Sequence, residues 1–264
     1  LTDQAQGTQD QALLDAAAPG GLAVSFTQDS NANVAKLKIG EDEPTQYSDL
    51  KTAVEAANNA TQDCVLTLLS DTSVENQINF NNTKAKITFD LQTFTVKSKY
   101  KSSFLSKPPK NGILINSEVD LKASNGGQFI ADSYDTALNI MSSTAKVNIY
   151  DAFYIKLDNP VSTSTDADGN RVVSIHDGAS CWIYGGTFTM TENTPKPVST
   201  IACWNNGKEA QASCYIYGGL FVHASTYKSW GGAVDAYNPL NFNIYGGYFA
   251  GQLYIGDKTP SPNL

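Results

Sequence analysis

The sequence predicts an all-β fold, a single-stranded right-handed parallel β-helix with a short N-terminal capping α-helix. One phrase recurs three times, as Ile183-Tyr184-Gly185-Gly186-Thr187-Phe188, Ile216-Tyr217-Gly218-Gly219-Leu220-Phe221 and Ile244-Tyr245-Gly246-Gly247-Tyr248-Phe249. Around each copy apolar residues alternate with polar ones at period two and are mostly β-branched or aromatic, the pattern of strands rather than helices. Aligned copies put like residues in columns, as successive coils of a solenoid do when equivalent strands stack about 4.8 Å apart.

In chain order, residues 1–20 are rich in Ala, Gln, Asp and Gly without strand patterning and read as a linker or tail. The β-helix is expected over residues 21–255. Residues 47–59 predict a short amphipathic helix, with Ser48 as N-cap, apolar positions at Leu50, Ala53, Val54 and Ala57, and Asn59 at the exit. Laid across the first coil, it would hide the edge that a solenoid end otherwise exposes. Strands follow at Cys64–Leu69 and Lys86–Leu91, and an echo of the repeat at Val119-Asp120-Leu121 and Gly126-Gly127-Gln128-Phe129. A degenerate copy, Val147 to Phe153, keeps Ile149-Tyr150 but replaces the glycines. From Tyr150 the steps to Tyr184, Tyr217 and Tyr245 are 34, 33 and 28 residues.

Upstream of each phrase lies a second strand: Ala137–Ile140, Val173–His176, Ile201–Trp204 and Ala233–Tyr237. A propeller blade would need four antiparallel strands and two-residue Asn-Gly turns, which are scarce; parallel coils of this kind are right-handed. Ile149, Ile183, Ile216 and Ile244 form one inward column, and Val147, Cys181, Cys214 and Phe242 another. Asn148, Trp182, Tyr215 and Asn243 between them face water, because a buried unpaired asparagine costs about 1–3 kcal/mol. Tyr150, Tyr184, Tyr217 and Tyr245 also face outward, as a stacked structural ladder. The Gly-Gly corner calls for positive φ or close approach between coils, after which Phe188, Phe221 and Phe249 re-enter the core. Residues 256–264 read as a tail.

With 41% hydrophobic and 17% charged residues in 264, the chain can bury a sizeable core. A net charge of -8, with Arg171 the only arginine, excludes the cation excess that nucleic acid or anionic lipid recruits. No stretch approaches the roughly 18 apolar residues of a spanning helix, so membrane insertion is not expected. The first residues lack signal-peptide features, and a soluble mature form is expected. Cys64, Cys181, Cys203 and Cys214 make no C-x-x-C pair and read as unbonded core residues. His176 and His223 are too few for a multi-histidine metal site; neither metal nor cofactor is expected. An acidic, Asn/Thr/Ser/Tyr-rich, Arg-poor chain fits an extracellular or cell-surface bacterial protein, expected as a monomer.

The helix running into Cys64–Asp71, the phrase Ile87-Thr88-Phe89-Asp90-Leu91-Gln92-Thr93-Phe94 and the Ile-Tyr-Gly-Gly-x-Phe repeats resemble the pectate-lyase-like right-handed β-helix superfamily, and specifically repeat-bearing, adhesin-like surface proteins of Gram-positive gut bacteria. The resemblance spans roughly residues 45 to 255 and implies adhesion or, as in many superfamily members, carbohydrate-active chemistry. The lyases' pattern of a basic residue beside calcium-holding carboxylates puts Arg171 in question, because it reads as a loop residue. The hydrolases' adjacent Asp-Asp pair is missing from the chain.

The remaining acids are Asp151, Asp177, Asp235 and the loop pair Asp166 and Asp168, and two must flank one bond for acid/base work. Asp177 and Asp235 fall in different columns, and the loop pair lacks the spacing of a calcium loop. No catalytic residue is assigned. The binding candidates are the outward column His176, Trp204 and Tyr237 with polar neighbours Asp177, Asn205 and Asn238, and Trp230 from an adjoining loop. Aromatic faces beside amides and carboxylates suit sugar rings, whose apolar faces stack while their hydroxyls pair. The expected function is a non-catalytic, adhesin-like module binding a glycan or a host or cell-surface polymer. The alternatives are a polysaccharide lyase or glycoside hydrolase with an unrecognised site, or a stalk.

Overall fold

The structure, a computed structural model, describes residues 33–75, 77–99, 111–131, 136–151, 153–157, 170–190, 197–205, 210–223, 232–237 and 239–256. The expected tail at 1–20, the loop pair Asp166 and Asp168, and the site candidates Trp230 and Asn238 lie outside the described residues. It opens on an antiparallel hairpin, β1 (Ala35–Ile39) and β2 (Thr45–Tyr47). The helix α1 spans Leu50–Asn59 and buries Leu50, Ala53, Val54 and Ala57, the face its apolar spacing predicts. Its N-cap is Asp49 rather than Ser48: the carboxylate accepts from the Thr52 N–H at 2.8 Å and the Thr52 hydroxyl at 2.7 Å. Both residue types cap well, and the choice between neighbours rests on which one the chain leaves extended.

Seven three-strand coils follow. The first is β3 (Cys64–Leu68), β4 (Thr72–Glu75) and β5 (Ile78–Phe80); the second β6 (Ile87–Asp90), β7 (Thr95–Lys99) and β8 (Asn111–Ile115). The third is β9 (Glu118–Lys122), β10 (Gln128–Ala131) and β11 (Thr136–Met141); the fourth β12 (Lys146–Ile149), β13 (Tyr154–Leu157) and β14 (Asn170–His176). The fifth is β15 (Ser180–Ile183), β16 (Thr187–Met190) and β17 (Pro197–Trp204). The sixth is β18 (Ser213–Ile216), β19 (Leu220–Val222) and β20 (Gly232–Tyr237); the seventh β21 (Asn241–Ile244), β22 (Tyr248–Ala250) and β23 (Leu253–Gly256). From β3 onward every strand pairs in parallel with its counterpart in the next coil, giving three sheets. Sheet I starts at β3, sheet II at β4 and sheet III at β5. The helix is therefore neither the first element nor the whole cap. The hairpin extends sheet I by two antiparallel strands beyond β3, and α1 packs against the hairpin and the first coil.

The columns stand as the sequence places them. Ile149, Ile183 and Ile216 pair in register and are fully buried, as are Val147, Cys181 and Cys214 two residues earlier. All four cysteines are free and buried. Phe188, Phe221 and Phe249 stack at 4.8 Å spacing. The two glycines of the corner have different tasks, visible at Gly218 and Gly219. A Cβ on Gly218 would lie 2.8 Å from the Tyr184 carbonyl oxygen of the coil below, while Gly219 has φ +117°, a conformation closed to ordinary L residues.

Candidate functional site

Two outward faces carry aromatic columns. On sheet I, Tyr150, Tyr184, Tyr217 and Tyr245 stack with ring centroids 5.4, 5.3 and 4.8 Å apart, and Trp182 lies on Tyr215 at 5.6 Å and 9°. Rings stacked along the solenoid axis cover one another's faces and leave their edges to water. Lys122 covers the first ring, its ammonium 4.9 Å from the Tyr150 centroid. Such a ladder stabilises parallel coils but offers few free faces for a sugar to stack on.

Sheet III differs. Met141 pairs in register with His176, and Trp204 with Tyr237. The His176 ring lies 5.0 Å from Trp204 at 33°, so the column predicted from the sequence forms. Trp204 and Tyr237 are half-buried, while His176 is nearly enclosed. The indole Nε1–H of Trp204 donates to Ser174 Oγ at 3.0 Å. His176 Nε2 is 2.8 Å from Asn139 Oδ1, and its Nδ1 is 3.3 Å from Asp177 Oδ2. Asp177 reaches that position because it opens an Asp-Gly turn with φ +54°, followed by Gly178 at +86°. Asn205 holds its backbone by donating to the Tyr237 carbonyl at 3.1 Å. Its side-chain Oδ1 is shielded from water with no hydrogen-bond partner among the described residues.

Arg171 corrects the sequence reading. It belongs to β14, not to a loop, and its guanidinium lies 5.5 Å over the Trp204 ring. Alternation breaks at Val172 and Val173, both fully buried, and just before them, between Asn170 and Arg171, the pairing of β14 with β17 slips by one residue. The slip turns Arg171 out to the face that Ser174 and His176 share, the kind of re-aiming that strand irregularities produce. Asp235 joins them from the neighbouring column, pairing with Ala202, which pairs with Ser174. Burial pushes the Asp235 carboxyl above its ordinary value, and Arg171 offsets part of that rise. Asp177 lies in the turn just past β14, three residues after Ser174, so the two acids do not share a column. Ser174, Asn139 and Arg171 were missed as site residues. The β-branched run Val172-Val173 leading into His176 was the available signal that the strand starts before Val173.

Among the described residues no three His, Cys, Asp or Glu side chains come together as a metal site, and no helix is long and apolar enough to cross a membrane. Fold and columns define the chain as a parallel β-solenoid repeat protein. Comparison with family models, curated proteins and solved structures finds no match to the chain.

Proposed function

We propose that this chain is an extracellular or cell-surface β-helix module, right-handed and of the pectate-lyase-like kind, that binds a glycan or a host or cell-surface polymer without cleaving it, in the manner of an adhesin. The observation that carries the reading is Trp204, a half-buried indole pinned by Ser174, His176 and Arg171 with Tyr237 in register on the next coil. An aromatic already held in place loses little side-chain freedom when a ligand stacks on it. From His176 to Tyr237 the column covers roughly 10 Å, the length of about two sugar rings.

One observation favours an enzyme instead: Asp235 is a carboxyl with a raised pKa beside the only arginine. Glycosidic cleavage needs a second acid across the bond, and Asp177, in another column of the same face, is engaged with His176. A glycan array with the intact chain separates the readings. Retention without release of shorter products supports binding, and release supports the enzyme. Trp204→Ala is expected to weaken binding several-fold, the equivalent of about 0.5–1.5 kcal/mol of stacking, and to lower stability modestly through the loss of its contacts with Ser174, His176 and Arg171. If the parent retains no glycan, the column is packing and the solenoid is a spacer.

A further inference from the structure

The tyrosine column on sheet I brings together side chains whose redox chemistry the stability of the coil does not use. Parallel, in-register pairing of β15, β18 and β21 sets one phenol on each level, directly after Ile183, Ile216 and Ile244. Tyr217 is the central rung. Its ring lies 5.3 Å from that of Tyr184 at 10° and 4.8 Å from that of Tyr245 at 13°. The ring edges stay open to solvent, with Tyr184 41% and Tyr217 44% exposed. An electron taken from one rung is readily replaced from the next, because rings this close exchange electrons rapidly. At the fourth coil the ladder is guarded. Lys122 holds its ammonium 4.9 Å from the Tyr150 centroid, and a cation drawn to the face of a ring opposes the loss of an electron from it. Oxidation is thereby directed to the rungs of the later coils. Desolvation, and after it the phenols of Tyr245, Tyr184 and Tyr215, raise the Tyr217 hydroxyl above its ordinary pKa, so this rung is a protonated phenol at neutral pH.

We propose that this column is an oxidative cross-linking site, at which a haem peroxidase with hydrogen peroxide, acting as a one-electron oxidant, joins Tyr217 to a stacked neighbour as dityrosine. Each of the two phenols gives one electron to the oxidised haem and its hydroxyl proton to water. The phenoxyl radicals carry spin on the ring carbons ortho to oxygen, and one such carbon from each ring forms a C–C bond. The hydrogen on each of these carbons then leaves as a proton while a proton returns to each oxygen, which restores two phenols. Overall, two electrons and two protons leave the protein and reduce one peroxide to two waters. Parallel register favours the coupling, because it holds both rings at the same height above the sheet and makes the reaction intramolecular. The link closes a loop of 33 residues toward Tyr184 or 28 toward Tyr245, and such a closure stabilises by restraining the unfolded chain. The site is independent of the proposed glycan surface, which lies on sheet III.

The test is to treat the intact chain, at low micromolar concentration, with a haem peroxidase and limiting hydrogen peroxide, and to follow dityrosine fluorescence, intact mass and peptide maps. The expected product is a monomer lighter by two hydrogens, with Tyr217 joined to Tyr184 or Tyr245 and a urea midpoint above that of the untreated chain. Tyr217→Phe keeps the ring and its stacking but cannot form the phenoxyl radical, and it leaves Tyr184 and Tyr245 two coils apart. Its intramolecular product should fall several-fold or more. Tyr215→Phe is the control on the same strand, since that phenol pairs in register with Trp182 and Asn243 rather than with tyrosines, and its yield should match the parent's. A parent that forms no cross-link while the peroxide is consumed overturns the proposal. So does coupling only between separate chains, linkage that maps to other tyrosines, or a Tyr217→Phe variant that couples as well as the parent.

Discussion

Replacing Ile216 with alanine tests the inside and outside assignment of the whole repeat, because its neighbour Tyr215 provides a control on the same strand. Ile216 is fully buried in the column between Ile183 and Ile244. Three carbons are lost, and at ~0.8 kcal/mol per buried methylene the transfer cost alone is about 2.4 kcal/mol. The cavity cannot close along the solenoid axis. Backbone hydrogen bonds hold the coil spacing on both sides, from the Tyr217 N–H to the Ile183 carbonyl at 2.8 Å and from the Tyr245 N–H to the Ile216 carbonyl at 2.7 Å. The total is therefore expected in the upper half of the ~2–5 kcal/mol range for such truncations. Tyr215→Ala removes a larger side chain from the outer face and loses its stack on Trp182 at 5.6 Å, a contribution of about 0.5–1.5 kcal/mol. Urea unfolding followed by far-ultraviolet circular dichroism gives both values from the midpoints, provided the slopes agree. If Tyr215→Ala costs as much as Ile216→Ala, the residues facing the core have been misassigned.

Gly219→Ala forces a Cβ into φ +117°, with an expected loss of about 1–3 kcal/mol; a variant that melts with the parent would show that the corner relaxes freely. Two carboxylates carry opposite pH signatures. Burial raises the pKa of Asp90, but hydrogen bonds from Ser124 and Gln92 outweigh it, so the folded value lies below 3.8. Its stabilisation is present above the unfolded value and lost as pH falls through the folded one, and Asp90→Asn should flatten the acid limb of the stability profile. For Asp235, burial wins over Arg171 and the folded value is raised. Its contribution is full below the unfolded value and fades as pH rises through the folded one, and Asp235→Asn should remove that decline. Burial also pushes the Cys64 thiol up to about 11 and that of Cys203 up to about 12. A thiol reagent should therefore find no reactive group in the native protein and all four in the unfolded, unreduced chain; a count of two would reveal a disulfide.

The repeat was legible because a solenoid repeats its constraints. Ile183, Ile216 and the glycines of the corner meet the same neighbours at successive levels, so alignment of the sequence with itself reads out the register. Where the chain leaves the repeat, that information stops. The hairpin went unread although Ala35-Lys36-Leu37-Lys38-Ile39 alternates cleanly, because its pairing is antiparallel and no second copy exists to align with it.

Outward residues obey weaker rules, and there the sequence could name candidates without ranking them. Trp182 and Trp204 occupy equivalent-looking positions, each flanked by apolar residues at period two. Their environments separate them. Trp182 is stacked on another ring of its own ladder, whereas the hydrogen bond, ring contact and cation contact of Trp204 all reach back to β14. The preceding coil holds the indole in place, while Tyr237 faces it from the following one. A ladder residue shares its faces with identical neighbours and is explained by the stability of the coil. A ring anchored from one side by a serine, a histidine and the chain's only arginine is held by more than its packing requires, and that asymmetry is why the proposed binding surface is sought on sheet III rather than on the longer and more exposed tyrosine column of sheet I.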